Sequence, residues 1–260
     1  MKRIHLFEFE DFSWFPDWIR VRMTRFIVTM HKLLGSKAEI ATLLEKALAH
    51  SKNKEIYDLC SGGGGPMLDV YELLKSRPGL EDVKLTLTDL YPNKSAAAEI
   101  KKRGDSNLDY STYPVDATAF NKKNQGVRTM ICSLHHMRPE KVKEILKDTM
   151  NAGDPFLAFE ISDNSFPKWI WWISFPINII TTLLITPFIR PMSWQQLVFT
   201  YIIPVLPILI AWDGALSNAR TYTLDDLDIV LKGINKNNYI WEKGVIKRKG
   251  NKLYLMGLPN

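Results

Sequence analysis

Two cysteines in 260 residues, Cys60 and Cys132, allow neither a disulfide framework nor a cysteine pair at metal-binding spacing. They read as reduced thiols in a cytosolic setting. The net charge is +6, mildly suited to anionic surfaces, but there is no lysine block, zinc pattern or recognition-helix signature. A nucleic-acid partner is therefore not expected. At the N-terminus, Glu8, Glu10 and Asp11 interrupt every apolar run, so no signal peptide is expected. Internal repeats and low-complexity tracts are absent. Charge is scarcest between Asp163 and Asp213, where only Lys168 and Arg190 carry any.

Glycine, by contrast, is concentrated. Residues 55–65 read Glu-Ile-Tyr-Asp-Leu-Cys-Ser-Gly-Gly-Gly-Gly, followed by Pro66 and the helical-looking stretch Met67–Lys75. An apolar run ending in an acid, a small-residue loop and then a helix is the order strand, tight turn, helix. Glycines admit positive φ and let a ligand approach the main chain. The helix turns its N–H groups and positive dipole end towards the loop. In an open α/β sheet such a loop lies at the carboxyl end of a strand, where ligands bind. The dinucleotide fingerprint needs glycines at positions one, three and six. Gly62 and Gly64 supply two, but Met67 occupies the third place. The Gly-Lys-Ser/Thr ending of a phosphate P-loop is missing.

The spacing Asp-x-(small)-x-Gly-x-Gly is met by Asp58, Cys60, Gly62 and Gly64. It resembles motif I of the class I S-adenosyl-L-methionine-dependent methyltransferases, with Cys60 where that family most often has its first glycine. Three further strand ends follow in order. Val83–Thr88 ends at Asp89, an acid placed to accept hydrogen bonds from ribose hydroxyls. Pro114-Val115-Asp116-Ala117 follows a third strand, and in the resembled family the matching acid meets the adenine amino group. Val127–Ser133 ends in Leu134-His135-His136-Met137, with Pro139 opening a helix. The resemblance covers roughly residues 50–165. It implies a doubly wound, Rossmann-like α/β sheet, mostly parallel, with an antiparallel C-terminal hairpin. It also implies S-adenosylmethionine held by Asp58, Cys60, Ser61, Gly62, Gly63, Gly64, Asp89, Leu90, Asp116, Ala117 and Leu134.

The remaining chain divides around that core. Residues 1–50 are expected to form a helical lid. Ile19, Met23, Phe26, Ile27, Met30 and Leu34 lie at helical spacing, which suits a helix docked on the domain as well as a lid; the resemblance implies the lid, with Arg20 or Arg25 meeting the cofactor's carboxylate. A second helix is expected over Ala38–Ala49. Residues 51–163 are the cofactor-binding core, closing with a strand over Phe156–Ile161. Residues 223–260 complete it with a helix over Leu224–Ile234 and strands over Tyr239–Lys247 and Lys252–Gly257; a pair so closely coupled must be antiparallel.

Residues 164–222 form the apolar insert. Its uncharged runs, Trp169–Ile189 and Pro191–Trp212, are each long enough to cross a bilayer. Pro176, Pro187, Pro204 and Pro207 oppose straight spans. Three readings stay open: a spanning hairpin, a monotopic or re-entrant patch, and a buried substrate lid. Trp169, Trp171, Trp172, Trp194 and Trp212 suit an interface or an apolar pocket equally. Membrane contact through 169–212 would place the protein in the cytoplasm, peripheral or anchored at the inner face of a membrane. The acceptor is then expected to be a small molecule or lipid. Asp213, Arg220 and Tyr222 read either as part of a turn or as the polar end of its pocket.

A hydroxyl or acidic-carbon acceptor needs a base. His135 and His136 are the candidates, with Glu160 a third. Adjacent residues of an extended segment face opposite ways, so one histidine is expected to reach the site. No metal is expected, because no partner ligand lies at suitable spacing along the chain. Two rivals remain: a nicotinamide oxidoreductase on a similar sheet, and a non-catalytic cofactor-binding or membrane-scaffolding protein.

Overall fold

The computed structural model describes residues 1, 3–12, 14–120, 126–165, 167, 170–235 and 237–260, with the backbone alone at Trp171 and Trp172. Two helices, α1 (Asp17–Leu34) and α2 (Ser36–Ala49), precede the first strand. Gly35 between them holds φ +71°, left-handed geometry that glycine takes without a Cβ clash, and its N–H closes α1 on the carbonyls of His31 and Lys32. Strands and helices then alternate: β1 (Glu55–Asp58), α3 (Met67–Lys75), β2 (Lys84–Leu87), α4 (Lys94–Lys102), β3 (Leu108–Tyr110), β4 (Val127–Ile131), α5 (Pro139–Ala152) and β5 (Phe156–Glu160). The insert carries α6 (Ile170–Ile185), α7 (Trp194–Leu197) and α8 (Val205–Arg220). Thr223 and Asp226 form a capping box that starts α9 (Leu224–Leu231), and the hairpin β6 (Tyr239–Lys247) and β7 (Asn251–Pro259) completes the chain.

The sheet order is β3-β2-β1-β4-β5-β7-β6. The first five strands run parallel, and β7 is antiparallel to both β5 and β6. This is the doubly wound sheet with an antiparallel hairpin expected from the sequence. Its topological switch point lies between β1 and β4, the place where open α/β sheets bind ligands at the carboxyl ends of their strands. Every residue of β4 and β5 is buried, as strands covered on both faces must be. On one face Ile40 and Leu44 of α2 and Val70 and Leu74 of α3 pack on Leu85 and Val127. On the other, Ile145 and Leu146 of α5 and Leu227 and Val230 of α9 pack on Met130 and Phe156.

Some boundaries differ for identifiable reasons. β4 stops two residues short of the expected Ser133, because Cys132 turns to φ +53°. α9 ends ahead of the expected Ile234, with Gly233 at φ +79°. The α1 stripe does not pack on the sheet. Phe15, Ile19, Met23 and Phe26 instead form a third core with Ile185, Ile189, Leu206 and Ile210 of the insert.

The insert is not a pair of straight spans. Pro176 lies within α6, whose end tightens into a 3₁₀ turn over Thr186–Phe188. α7 passes into a π-helical turn over Val198–Ile202, and the chain bends by 84° into α8. Pro204 and Pro207 cannot donate backbone hydrogen bonds, which accounts for a break there. Among the described residues no single helix is long and apolar enough to cross a membrane; Trp194–Ile202 with Val205–Arg220 passes only as a bent pair. α6 and α8 approach closely at Gly214, where a Cβ would lie 3.3 Å from Asn178 Nδ2. Because α8 runs to Arg220, Asp213 lies on a helix and not in a turn. Of the tryptophans that suit an interface or an apolar pocket, Trp194 is 66% exposed. Trp212 is partly buried, and Trp169 and the side chains of Trp171 and Trp172 lie outside the described residues.

Candidate functional site

β1 delivers the chain to the carboxyl edge of the sheet at Asp58, and the loop beyond it is left-handed four times. Cys60, Gly62, Gly64 and Gly65 hold φ of +58°, +53°, +91° and +45°. Cys60 thus adopts the conformation for which the resembled motif uses glycine, at a cost of about 1–2 kcal/mol. A Cβ on Gly64 would fall 3.2 Å from Leu87 Cδ1, and one on Gly63 3.2 Å from Thr24 Cγ2. The second contact shows that α1 lies over the loop. Ser61 fastens it below: its N–H donates to Thr88 O at 2.9 Å and its hydroxyl to Asp58 O at 2.7 Å.

Asp58 itself points into the sheet, 3% exposed, and accepts a 2.6 Å hydrogen bond from Thr129 Oγ1. Burial raises its pKa to about 7, against the lowering effect of the Thr129 and Ser61 hydroxyls. Burial likewise pushes the Cys60 thiol far up, with the nearby carboxylates adding to it, so Cys60 is no nucleophile at neutral pH. Asp89 closes on the loop from β2: its Oδ2 accepts from Gly62 N and its Oδ1 from Tyr91 N, both at 2.8 Å. Val115 N donates to Asp89 O at 2.9 Å, which sets Asp116 beside it. Asp116 Oδ1 accepts from Thr118 N and Thr118 Oγ1, starting a 3₁₀ turn over Ala117–Ala119. Those bonds hold its carboxyl below the usual range. The structure therefore brings Ser61, Gly62, Gly63, Gly64, Asp89 and Asp116 to one edge. Leu90 is 43% exposed, whereas Ala117 and Leu134 bury their side chains in the core and offer a ligand backbone only. Sequence reasoning missed Tyr110, whose hydroxyl donates to Gly62 O at 2.8 Å and accepts from Asn93 N at 3.0 Å. Arg20 and Arg25 are engaged elsewhere, Arg20 by Asp17 and Phe12 O and Arg25 by Pro191 O.

Next along the edge, Leu134–His136 form a 3₁₀ turn and not an extended segment. Both histidines consequently face the same way, their rings 4.2 Å apart. His135 Nδ1 lies 2.8 Å from Glu160 Oε2, and the His135 N–H donates to Glu160 Oε1 at 3.1 Å. A carboxylate only accepts, so Nδ1 carries the proton and the lone pair of the neutral ring sits on Nε2. His136 Nδ1 lies 2.8 Å from Asp11 Oδ1. Burial alone would lower His136, but Glu8 and Asp11 outweigh it and lift its pKa to about 9. Burial opposes ionisation of Asp11 too, yet the hydrogen bonds of His136 and Arg220 hold it far below the usual range.

The N-terminal segment lies across this turn, which spacing along the chain could not reveal. Glu8, 1% exposed, sets Oε1 3.9 Å from His135 Nε2 and Oε2 3.8 Å from His136 Nε2. Arg220 donates to Glu8 Oε1 at 2.9 Å and to Asp11 Oδ2 at 2.7 Å. Arg3 donates to His135 O and Arg220 O, each at 2.7 Å, and stacks 4.1 Å above the Tyr222 ring. Asp213 accepts from the N–H groups of Phe9 and Glu10, and burial raises its pKa to about 8. Tyr222 donates to Met137 O at 2.8 Å. Asp213, Arg220 and Tyr222 thus clasp the N-terminal segment and the histidine turn together.

No protein-family model matches the chain, and no curated protein matches it. Solved structures do. The plantazolicin methyltransferase BamL, in complex with a triazolic desmethylPZN analog and SAH, is similar over 94% of this chain and 98% of its own, at 11% identity and a TM-score of 0.52. LaPhzM is 16% identical over 88% of this chain and 56% of its own, at a TM-score of 0.49. The mitomycin 7-O-methyltransferase MmcR is 17% identical over 87% and 54%, also at 0.49. This chain spans little more than half the length of the latter two. At 11% identity the likeness to BamL is one of fold alone.

Proposed function

We propose that this chain is an S-adenosylmethionine-dependent methyltransferase acting on a small, apolar or lipid-like acceptor at a membrane surface. The observation that carries the reading is the left-handed loop Cys60–Gly65 closed by Asp89 at the switch point of the sheet. The residues suit that cofactor. A Cβ on Gly62 or Gly65 would meet nothing within 4 Å among the described residues, so the loop borders open space there. Asp89 uses one lone pair of each oxygen on backbone N–H groups and keeps the others for ribose hydroxyls. In this reading Gly62–Gly64 hold the amino-acid end, Asp89 the ribose, and Asp116 with the Ala117 and Leu134 backbone the adenine.

The cofactor, when bound, supplies a methyl group on a sulfonium. The chain's task is to orient the acceptor, exclude water and, for a hydroxyl, take its proton. His135 is the base we assign, held by Glu160 with Nε2 as the receiving atom. Glu8 stands over Nε2, so proton transfer to His135 requires the N-terminal segment to shift. The membrane side is supported by α6. Ile173, Ile177, Ile180 and Leu184 form one stripe and are 47%, 53%, 56% and 66% exposed. An apolar stripe left in water marks an interaction surface, and the α7–α8 bend leaves Ile202 73% and Ile203 52% exposed beside it in sequence.

Calorimetric titration with S-adenosylhomocysteine and, in parallel, NADH tests the reading. Binding of the homocysteine product alone, in the micromolar range, is the expected result. Asp89→Ala should weaken it about 10–100-fold, the loss of one or two charge-assisted hydrogen bonds, with a melting curve confirming the fold. NADH binding alone would replace the reading with a nicotinamide oxidoreductase, and binding of neither would favour a scaffold.

A further inference from the structure

Chain spacing offers His135 and His136 no third metal ligand, but the fold supplies one from the N-terminus. We propose that Glu8, His135 and His136 bind a divalent transition-metal ion. Each of the three residues offers a ligand atom within 4.8 Å of those of the other two. Bonds of about 2.0–2.2 Å to a tetrahedral or octahedral ion place adjacent ligand atoms about 3.0–3.5 Å apart. Glu8 faces the rings through different oxygens, Oε1 at 3.9 Å from His135 Nε2 and Oε2 at 3.8 Å from His136 Nε2, so each contact shortens by about 0.3–0.9 Å on binding.

Three further features point the same way. Each ring is held from behind by a carboxylate on Nδ1, Glu160 for His135 and Asp11 for His136, both at 2.8 Å. Metal-binding histidines are oriented in this manner, and the carboxylate raises the basicity of the ligating nitrogen. His135 is 4% exposed and its Nε2 has no hydrogen-bond partner among the described residues, although an unmet buried polar atom is costly. Glu8 is itself fixed: Oε1 accepts from Arg220 at 2.9 Å and Oε2 from Ser217 Oγ at 3.0 Å. Each oxygen retains a second lone pair for an ion. Two imidazoles and one carboxylate suit zinc, iron(II) or cobalt(II), and three protein ligands leave an open position.

This site uses other atoms than the glycine loop and does not depend on the cofactor assignment. It does bear on the base: an ion on Nε2 of His135 takes the lone pair that would accept a proton, so His135 serves as the base assigned above only in the metal-free protein.

The test is titration of chelator-stripped protein with cobalt(II), read by its visible d–d absorption, with zinc(II) as competitor. One equivalent should bind and be displaced by zinc. Glu8→Gln and His136→Ala should each weaken cobalt binding by at least about 10-fold, and Asp11→Asn, which keeps its shape, by about 10–100-fold. His50→Ala, remote from the site, should leave it unchanged. A readout that needs no variant is nitrogen NMR of the wild-type chain labelled at its five histidines. Zinc should shift two Nε2 resonances and spare the other three. Absence of a cobalt spectrum, equal affinity in folded Glu8→Gln, or zinc shifts at other histidines would overturn the proposal and leave a purely ionic contact between protonated His136 and the two acids. Titration of the same samples with S-adenosylhomocysteine separates the two assignments, since either ligand can bind without the other.

Discussion

Single residues at the loop carry much of what can be tested. The resemblance puts Asp58 among the cofactor residues; in the structure its carboxyl is buried against Thr129 and its backbone carbonyl holds the Ser61 hydroxyl of the loop. Its folded pKa, raised to about 7 from 3.8, fixes the sign of a pH effect. Between those values the folded protein keeps a proton that the unfolded chain has lost, so this group's contribution to stability falls as pH rises through the window. Asp58→Asn keeps the acceptor for Thr129 and removes the titration. Thermal melts should show the variant gaining on the parent, by more at about pH 8 than at about pH 5. A constant difference would refute the assignment. Cys60 shows a motif position legible by size but not by conformation: a residue small enough for glycine's place still holds φ +58°.

At the scale of elements, the alternation of strands and helices was legible because each half-buried or buried strand leaves a short apolar run ending in a turn signal. The histidine turn was not. Whether Leu134–His136 is extended or 3₁₀ depends on the Ser133 carbonyl receiving the His136 N–H, which composition does not report. The insert was legible as apolar but not in shape, since proline positions permit several breaks and packing on α1 selects among them. The α6 stripe gives a direct test. Ile177→Glu, Ile180→Glu and Leu184→Glu together should cut co-sedimentation with lipid vesicles roughly 100-fold, at about 1 kcal/mol of lost apolar transfer each. Exposed positions should leave the melting temperature within the range of ordinary surface changes. Unchanged sedimentation would remove the membrane from the proposal.

For the whole molecule, the decisive contact joins residues far apart in the chain. Arg220 at the end of the insert holds Glu8 and Asp11 at the N-terminus and reaches His136 O in the middle. Arg220→Met would leave two acids without their guanidinium partner. Urea unfolding of the metal-free protein should show a loss of about 3–5 kcal/mol, as for other broken buried pairs. A loss below about 1 kcal/mol, that of an exposed pair, would show that the clasp is not structural. By itself the sequence determined the fold class, the order of the strand ends, and the glycine loop with its partner acid, because local periodicity and turn chemistry write those directly into the chain. Only the tertiary structure decided that both histidines face one way, that Glu8 meets them, and that α1 packs on the insert as well as over the loop. The contacts of Glu8 with the histidines and of α1 with the insert join segments more than a hundred residues apart, and no local pattern encodes the partner on the far side.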